Sequence, residues 1–166
     1  MQPAKPIIVD IIQKLNPTSV LDLGCGECKF SQKFIDRGIT VLGIDKNPTA
    51  KTHENFTFIQ KNILDFEFRQ EYDLIIGTGV LHFFKKEDAN ILIKRMQENT
   101  LKGGFHFLIC MSNEENPENE NNFYPDEEVL TKLYSGWEII HNKPCLSKKH
   151  GEKLHQHKMI IFLAKK

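Results

Sequence analysis

The sequence predicts an α/β fold: a doubly wound, mostly parallel seven-stranded sheet with helices on both faces and an antiparallel hairpin at the C-terminal end. Three observations lead there. Short apolar runs alternate with segments of helical period. Five of those runs are apolar along their length, as strands covered on both faces must be. The last two runs are joined by a polar, glycine-containing turn.

In "IIVDIIQKL", Ile7 to Leu15, apolar residues recur at helical spacing and Asn16-Pro17 ends the pattern; "SVLDL" follows as a short buried strand. In "KFSQKFIDRG", Phe30, Phe34 and Ile35 share a helix face and Gly38 caps its end. "TVLGID" is then the second strand. A short helix around Pro48 to Asn55 leads to "FTFIQ", "YDLIIGT" is the fourth strand, and an amphipathic helix from Glu87 to Asn99 precedes "GFHFLIC". The polar loop "SNEENPENENN", the helix "PDEEVLTKLYS" and the strands "GWEIIHN" and "LHQHKMIIFLA" complete the chain. No repeat and no long linker divides it, so residues 1–166 read as a single domain.

Composition narrows the function classes. With 40% hydrophobic and 27% charged residues, the chain is long enough to bury a full core without disulfide or metal staples. A formal net charge of zero gives a polyanion no global attraction, so nucleic acid is not an expected partner. Apolar runs fall short of the roughly 18 residues of a membrane span, and the N-terminal stretch carries an acid without a cleavage site. No membrane association and a cytoplasmic location are expected. Cys110 and Cys145 stand apart from the pair Cys25 and Cys28, so neither a disulfide scaffold nor a zinc site is expected, and the metal expectation is none.

The stretch "VLDLGCGECKF" holds two signatures, a C-x-x-C and the start of a glycine loop. It lies between the first sheet strand and the next helix, where parallel sheets bind ligands. Gly24 and Gly26 lack the Cβ atoms that would keep a ligand off the backbone, and the following helix directs free N–H groups there. The third position of a G-x-G-x-x-G is Lys29, which disfavours a dinucleotide. Asp45 ends the second strand, where a carboxylate accepts both hydroxyls of a ribose. A redox pair would also lie at such a turn, but Cys25 occupies the position where the loop needs a small residue.

"VLDLGCGECKF", "VLGIDKN", "FIQKNILDF", "YDLIIGTGVLHFF" and "LKGGFHFLIC" resemble, in order and spacing, the class I S-adenosylmethionine-dependent methyltransferases. "NNFYPDEEVLTKLYSGWEII" with the final strand is similar, more narrowly, to the tellurite-resistance methyltransferases. The resemblance implies a Rossmann-like sheet with S-adenosyl-L-methionine as cofactor and S-adenosyl-L-homocysteine as product. It implies that Gly24, Cys25 and Gly26 line the methionine end and that Asp22 holds the ammonium group. Asp45, with Lys46 beside it, takes the ribose, Asn62 the adenine edge and Ile63 its face. Thr78 and Gly79 would lie near the transferring methyl, and Leu81, His82 and Phe83 would begin the substrate wall. Beside the resemblance, the residues themselves make His82, Phe83 and His150 the candidate catalytic residues. Phe84, Phe123 and Tyr124 are expected to join Phe83 in excluding water.

From Ser112 to Glu128 there are seven acids and no Lys or Arg, whereas His141 to Lys166 holds seven Lys and four His against Glu152. Both segments are expected at the cofactor end, where Lys148, Lys149, His150 and Lys153 would steady one small anion. His155 and His157, two apart on a predicted strand, share one face and read as edge-strand polarity rather than a metal site. Trp137 is expected to pack the final strands onto the sheet. The expected activity is methyl transfer to a small-molecule acceptor by a monomer or weak homodimer, with a metalloid oxyanion as leading acceptor. A small thiol or amine is the alternative acceptor. A nucleotide-dependent oxidoreductase and a non-catalytic cofactor-binding module are the competing classes.

Overall fold

Strand and helix alternate through β1 (Gln2–Pro3), α1 (Ala4–Lys14), β2 (Ser19–Leu23), α2 (Gln32–Ile35), β3 (Thr40–Asp45) and β4 (Phe56–Gln60). They continue through β5 (Tyr72–Thr78), α3 (Lys86–Glu98), β6 (Thr100–Met111), α4 (Glu127–Leu133), β7 (Glu138–Leu146) and β8 (Lys158–Lys165). The computed structural model describes residues 1–115, 121–149 and 155–166. The strands form one sheet in the order β1-β7-β8-β6-β5-β2-β3-β4. β8 runs antiparallel to β6 and β7, and every other strand pairing in the sheet is parallel.

All seven predicted strands are present. The eighth, β1, pairs Gln2 with Cys145 and Pro3 with Leu146 at the sheet edge. Two residues carry no period for a pattern argument to detect. The strand order reverses beside β2: the chain builds outward through β3 and β4, then returns to place β5 and β6 on the other flank. The carboxyl ends of β2, β3 and β5 therefore meet at the switch point, where a crevice opens.

Alternation along each strand divides the core. Leu21, Ile75, Leu108 and Phe162 face a cluster completed by Leu92, Ile93 and Met96 of α3 and Leu130 of α4. Val20, Ile76, Phe107 and Ile161 face the other cluster, with Ile11 and Ile12 of α1 and Phe34 and Ile35 of α2. Each such side chain stabilises the fold by about 1.5–3 kcal/mol on burial, which is why a four-residue α2 persists: its apolar pair is buried. Trp137 packs against the α3/α4 cluster, as its position predicts.

The helices differ from expectation in two places. Pro48–Asn55 is not helical; its side chains are exposed or half-buried, so no apolar face rewards the turn, and only a His53–Phe56 bridge forms. Helix α2 is shorter than the apolar period of its segment suggests, because residues 26–31 ahead of it are taken up by turns. Among the described residues no helix is long and apolar enough to cross a membrane.

Candidate functional site

The turn after β2 is shaped by its glycines. Gly24 and Gly26 have φ of +73° and +50°, in the left-handed region. The N–H of Gly24 donates to Ile44 O at 2.8 Å, pinning the turn to β3. A Cβ on Gly24 would lie 2.7 Å from Val80 Cγ2, so no other residue fits there without displacement. Cys28 also sits at φ +59°, and both thiols are buried. Burial, then the neighbouring Asp22 charge, pushes the Cys25 thiol up; burial also raises Cys28. A reactive thiolate is therefore disfavoured at either position.

Asp45, at the end of β3, accepts from Gly26 N–H at 2.8 Å through Oδ2 and from Asn47 N–H at 2.9 Å through Oδ1. Each oxygen keeps a lone pair for a further donor. Asp22 lies in β2, 2% exposed, and its Oδ1 has no hydrogen-bond partner among the described residues. Burial raises this carboxyl to about 7; Ser31's hydroxyl opposes the shift and the Asp45 charge adds to it. An unpaired buried acceptor in this position can take a hydrogen bond from a cation or strong donor.

A cleft of about 540 Å³ brings together Gly24, Asp45, Lys46, Asn62, Ile63, Gly79 and Phe83. Asp22, Cys25 and Gly26 do not line this cleft: Cys25 and Gly26 continue the turn whose Gly24 does, and Asp22 lies in β2 ahead of that turn. Thr78 does not line this cleft; it lines a second, larger groove that shares Gly79 with it. Asn62 caps a short turn, its Oδ1 accepting from Leu64 N–H at 3.1 Å, which leaves its amide group to donate. Phe84 lines the cleft as well. So do Leu64 and Val80, which no local motif singled out. The size of the cleft and its polar lining suit a nucleoside.

His82 belongs to the single turn Leu81–Phe83 that follows β5. Its ring lies 4.1 Å from that of Phe83 and 6.0 Å from that of Tyr124, and its buried Nδ1 has no partner among the described residues. Burial lowers its pKa, and His157 lowers it further. Phe83 is 70% exposed at the cleft mouth, whereas Phe123 is 2% exposed and packs in the core rather than on the expected wall. His150 and Lys153 lie outside the described residues.

The opposed charges of the two segments meet directly. Glu115 Oε1 contacts His157 Nδ1 at 2.6 Å, and Glu114 pairs with Lys158 at 2.7 Å. No local pattern signals these pairs, since they join residues 42 and 44 apart. His155 and His157 precede β8 rather than sharing a strand face, with ring planes at 85°.

A model of the family described as "Tellurite resistance protein TehB" matches residues 1–159. A Haemophilus influenzae (strain 10810) protein named "Probable S-adenosyl-L-methionine-dependent methyltransferase TehB" is 29% identical over 154 residues, 86% of this chain and 54% of that one. The chain thus spans about half the length of that relative. The crystal structure of TehB from Haemophilus influenzae superposes with a TM-score of 0.81 at 24% identity, covering 97% of this chain and 62% of the other. The N-methyltransferase NodS from Bradyrhizobium japonicum WM9, in complex with S-adenosyl-L-homocysteine, gives 0.77 at 16% identity, with coverage of 98% and 85%.

Proposed function

Because the chain belongs to the tellurite resistance protein TehB family, we propose that it transfers a methyl group from S-adenosyl-L-methionine to a small-molecule acceptor. The observation that carries this reading is Asp22, whose buried Oδ1 awaits a donor under the glycine turn. An ammonium group there would hold the carboxyl ionised against its burial. Asp45 has acceptor capacity left for ribose hydroxyls, and Asn62 can donate to an adenine ring nitrogen beside Ile63.

The cofactor supplies an activated methyl on a sulfonium. The chain's part is to position the acceptor in line with that methyl and keep the site dry. Gly79, with φ +63° and no neighbour within 4 Å of a would-be Cβ, leaves room for the acceptor to approach. Phe83 and Phe84 line the cleft and would cover a bound acceptor. His82, neutral near pH 7 because its pKa is lowered, orients the acceptor or takes its proton through a ring nitrogen.

The family description points to a metalloid oxyanion, and Lys148 and Lys149 are the hairpin cations that would attract one. A small thiol or amine is the second reading, favoured by the apolar lining of the groove beside Gly79. The test is transfer of labelled methyl from S-adenosyl-L-methionine to tellurite, selenite, thiols and amines, sampled in solution and headspace. Transfer to any of them is expected. Binding of S-adenosyl-L-homocysteine with no transfer to any acceptor would instead identify a cofactor-binding module.

A further inference from the structure

The larger groove, about 920 Å³, runs between α1 and α2 and ends at Thr78 and Gly79. We infer that it holds the body of the methyl acceptor, an apolar organic thiol carrying an anionic group. This deepens the methyltransferase reading and rests on it.

Topology sets the groove's course. Helix α1 starts beside Leu146, at the carboxyl end of β7, and α2 follows the glycine turn at the carboxyl end of β2, so both helices descend from the cofactor edge of the sheet. The 11 residues of α1 give a channel of about 16 Å. Its walls are Ile8, Val9 and Ile12 on one side and Phe30 on the other, with Ile109 and Met159 near the Gly79 end. Val9 is 42% exposed, an apolar surface that the described residues leave open. At the far end Arg37 bridges the helices, donating to Ile12 O at 3.3 Å and Asn16 Oδ1 at 2.8 Å.

Charge selects the occupant. Among the described residues, Lys5, Lys33, Arg37 and Lys148, with Lys29 already paired to Glu27 at 3.4 Å, line the groove against one carboxylate, Asp36, which accepts from Gln32 at 2.5 Å. An anionic apolar molecule is complementary to such walls, whereas a bare oxyanion would leave most of the apolar lining wet. Lys148, which follows the carboxyl end of β7 at the cofactor edge and lines the groove, favours a thiolate over a thiol. The thiol gives its proton to solvent; its sulfur forms the new S–CH3 bond as the CH3–S⁺ bond of the cofactor breaks. The products are a thioether that keeps its anionic group and S-adenosyl-L-homocysteine, and the opposite charges at the two sulfurs cancel.

The test compares labelled methyl transfer to 3-mercaptopropionate, 6-mercaptohexanoate and 8-mercaptooctanoate. Added methylenes should enter the groove, raising kcat/KM at least about tenfold across the series. Val9→Asp, at an exposed position, should lower kcat/KM for 8-mercaptooctanoate about tenfold while retaining affinity for S-adenosyl-L-homocysteine. Lys33→Glu should weaken 8-mercaptooctanoate but not uncharged octanethiol. No dependence on chain length, or no transfer to any thiol by protein that binds S-adenosyl-L-homocysteine, overturns the inference. A dimer dissociated by Val9→Asp, with rates flat along the series, also overturns it by assigning the groove to a second copy. Failure to bind S-adenosyl-L-homocysteine at all would instead remove the methyltransferase reading.

Discussion

The backbone N–H of Gly26 donates to Asp45 Oδ2 at 2.8 Å, joining the glycine turn after β2 to the carboxylate that ends β3. The two residues are 19 apart in sequence. The bond fixes the carboxylate before any ligand arrives, so little ordering cost remains on binding.

Asp45→Ala removes this anchor together with the proposed ribose acceptors. Hydrogen bonds to charged groups contribute about 1.5–3 kcal/mol each, so affinity for S-adenosyl-L-homocysteine should fall at least about tenfold. A thermal-shift titration checks it; an unchanged shift would remove the ribose assignment.

Asp22 predicts a pH effect. Its folded pKa, about 7, lies above its ordinary value of 3.8, so between these limits the folded protein binds more protons than the unfolded chain. The contribution of Asp22 to stability is therefore fully present below about pH 4 and declines until pH passes about 7. Asp22→Asn should remove that decline, seen as the difference between the two proteins' urea midpoints across pH. The comparison is needed because His106, pushed down to about 3 by burial, acts oppositely and loses stability as pH falls below its ordinary value of 6.5.

His106 is also the centre of a buried network. Its ring nitrogens lie 2.7 Å from Thr100 Oγ1 and 2.7 Å from Tyr134 Oη. Tyr134→Phe strands one nitrogen and should cost about 1–3 kcal/mol in urea denaturation, with cofactor binding unchanged because the network lies away from the cleft.

His82→Ala separates catalysis from binding. If His82 orients or deprotonates the acceptor, turnover should fall about 100-fold or more while affinity for S-adenosyl-L-homocysteine holds. Equal turnover in the variant would leave His82 a packing residue.

The candidate cleft was legible because its signals are local: two glycines in one turn, an acid closing the next strand, and Asn62 shortly after β4. The sheet was legible for the same reason, since alternation of apolar runs and helical segments needs no knowledge of distant contacts. Phe123 misled because an aromatic near the mouth and an aromatic under it look alike in sequence; only tertiary packing decides. The α1/α2 groove and the Glu115–His157 pair are products of topology. They bring together segments whose own patterns carry no sign of the meeting.

Calorimetric titration of S-adenosyl-L-homocysteine, with NAD(H) as the competing nucleotide, tests the central claim most directly. The cleft predicts saturable one-to-one binding of S-adenosyl-L-homocysteine and none of NAD(H), since Lys29 stands where a dinucleotide loop needs its third glycine. NAD(H) binding, or no heat from S-adenosyl-L-homocysteine, would contradict it.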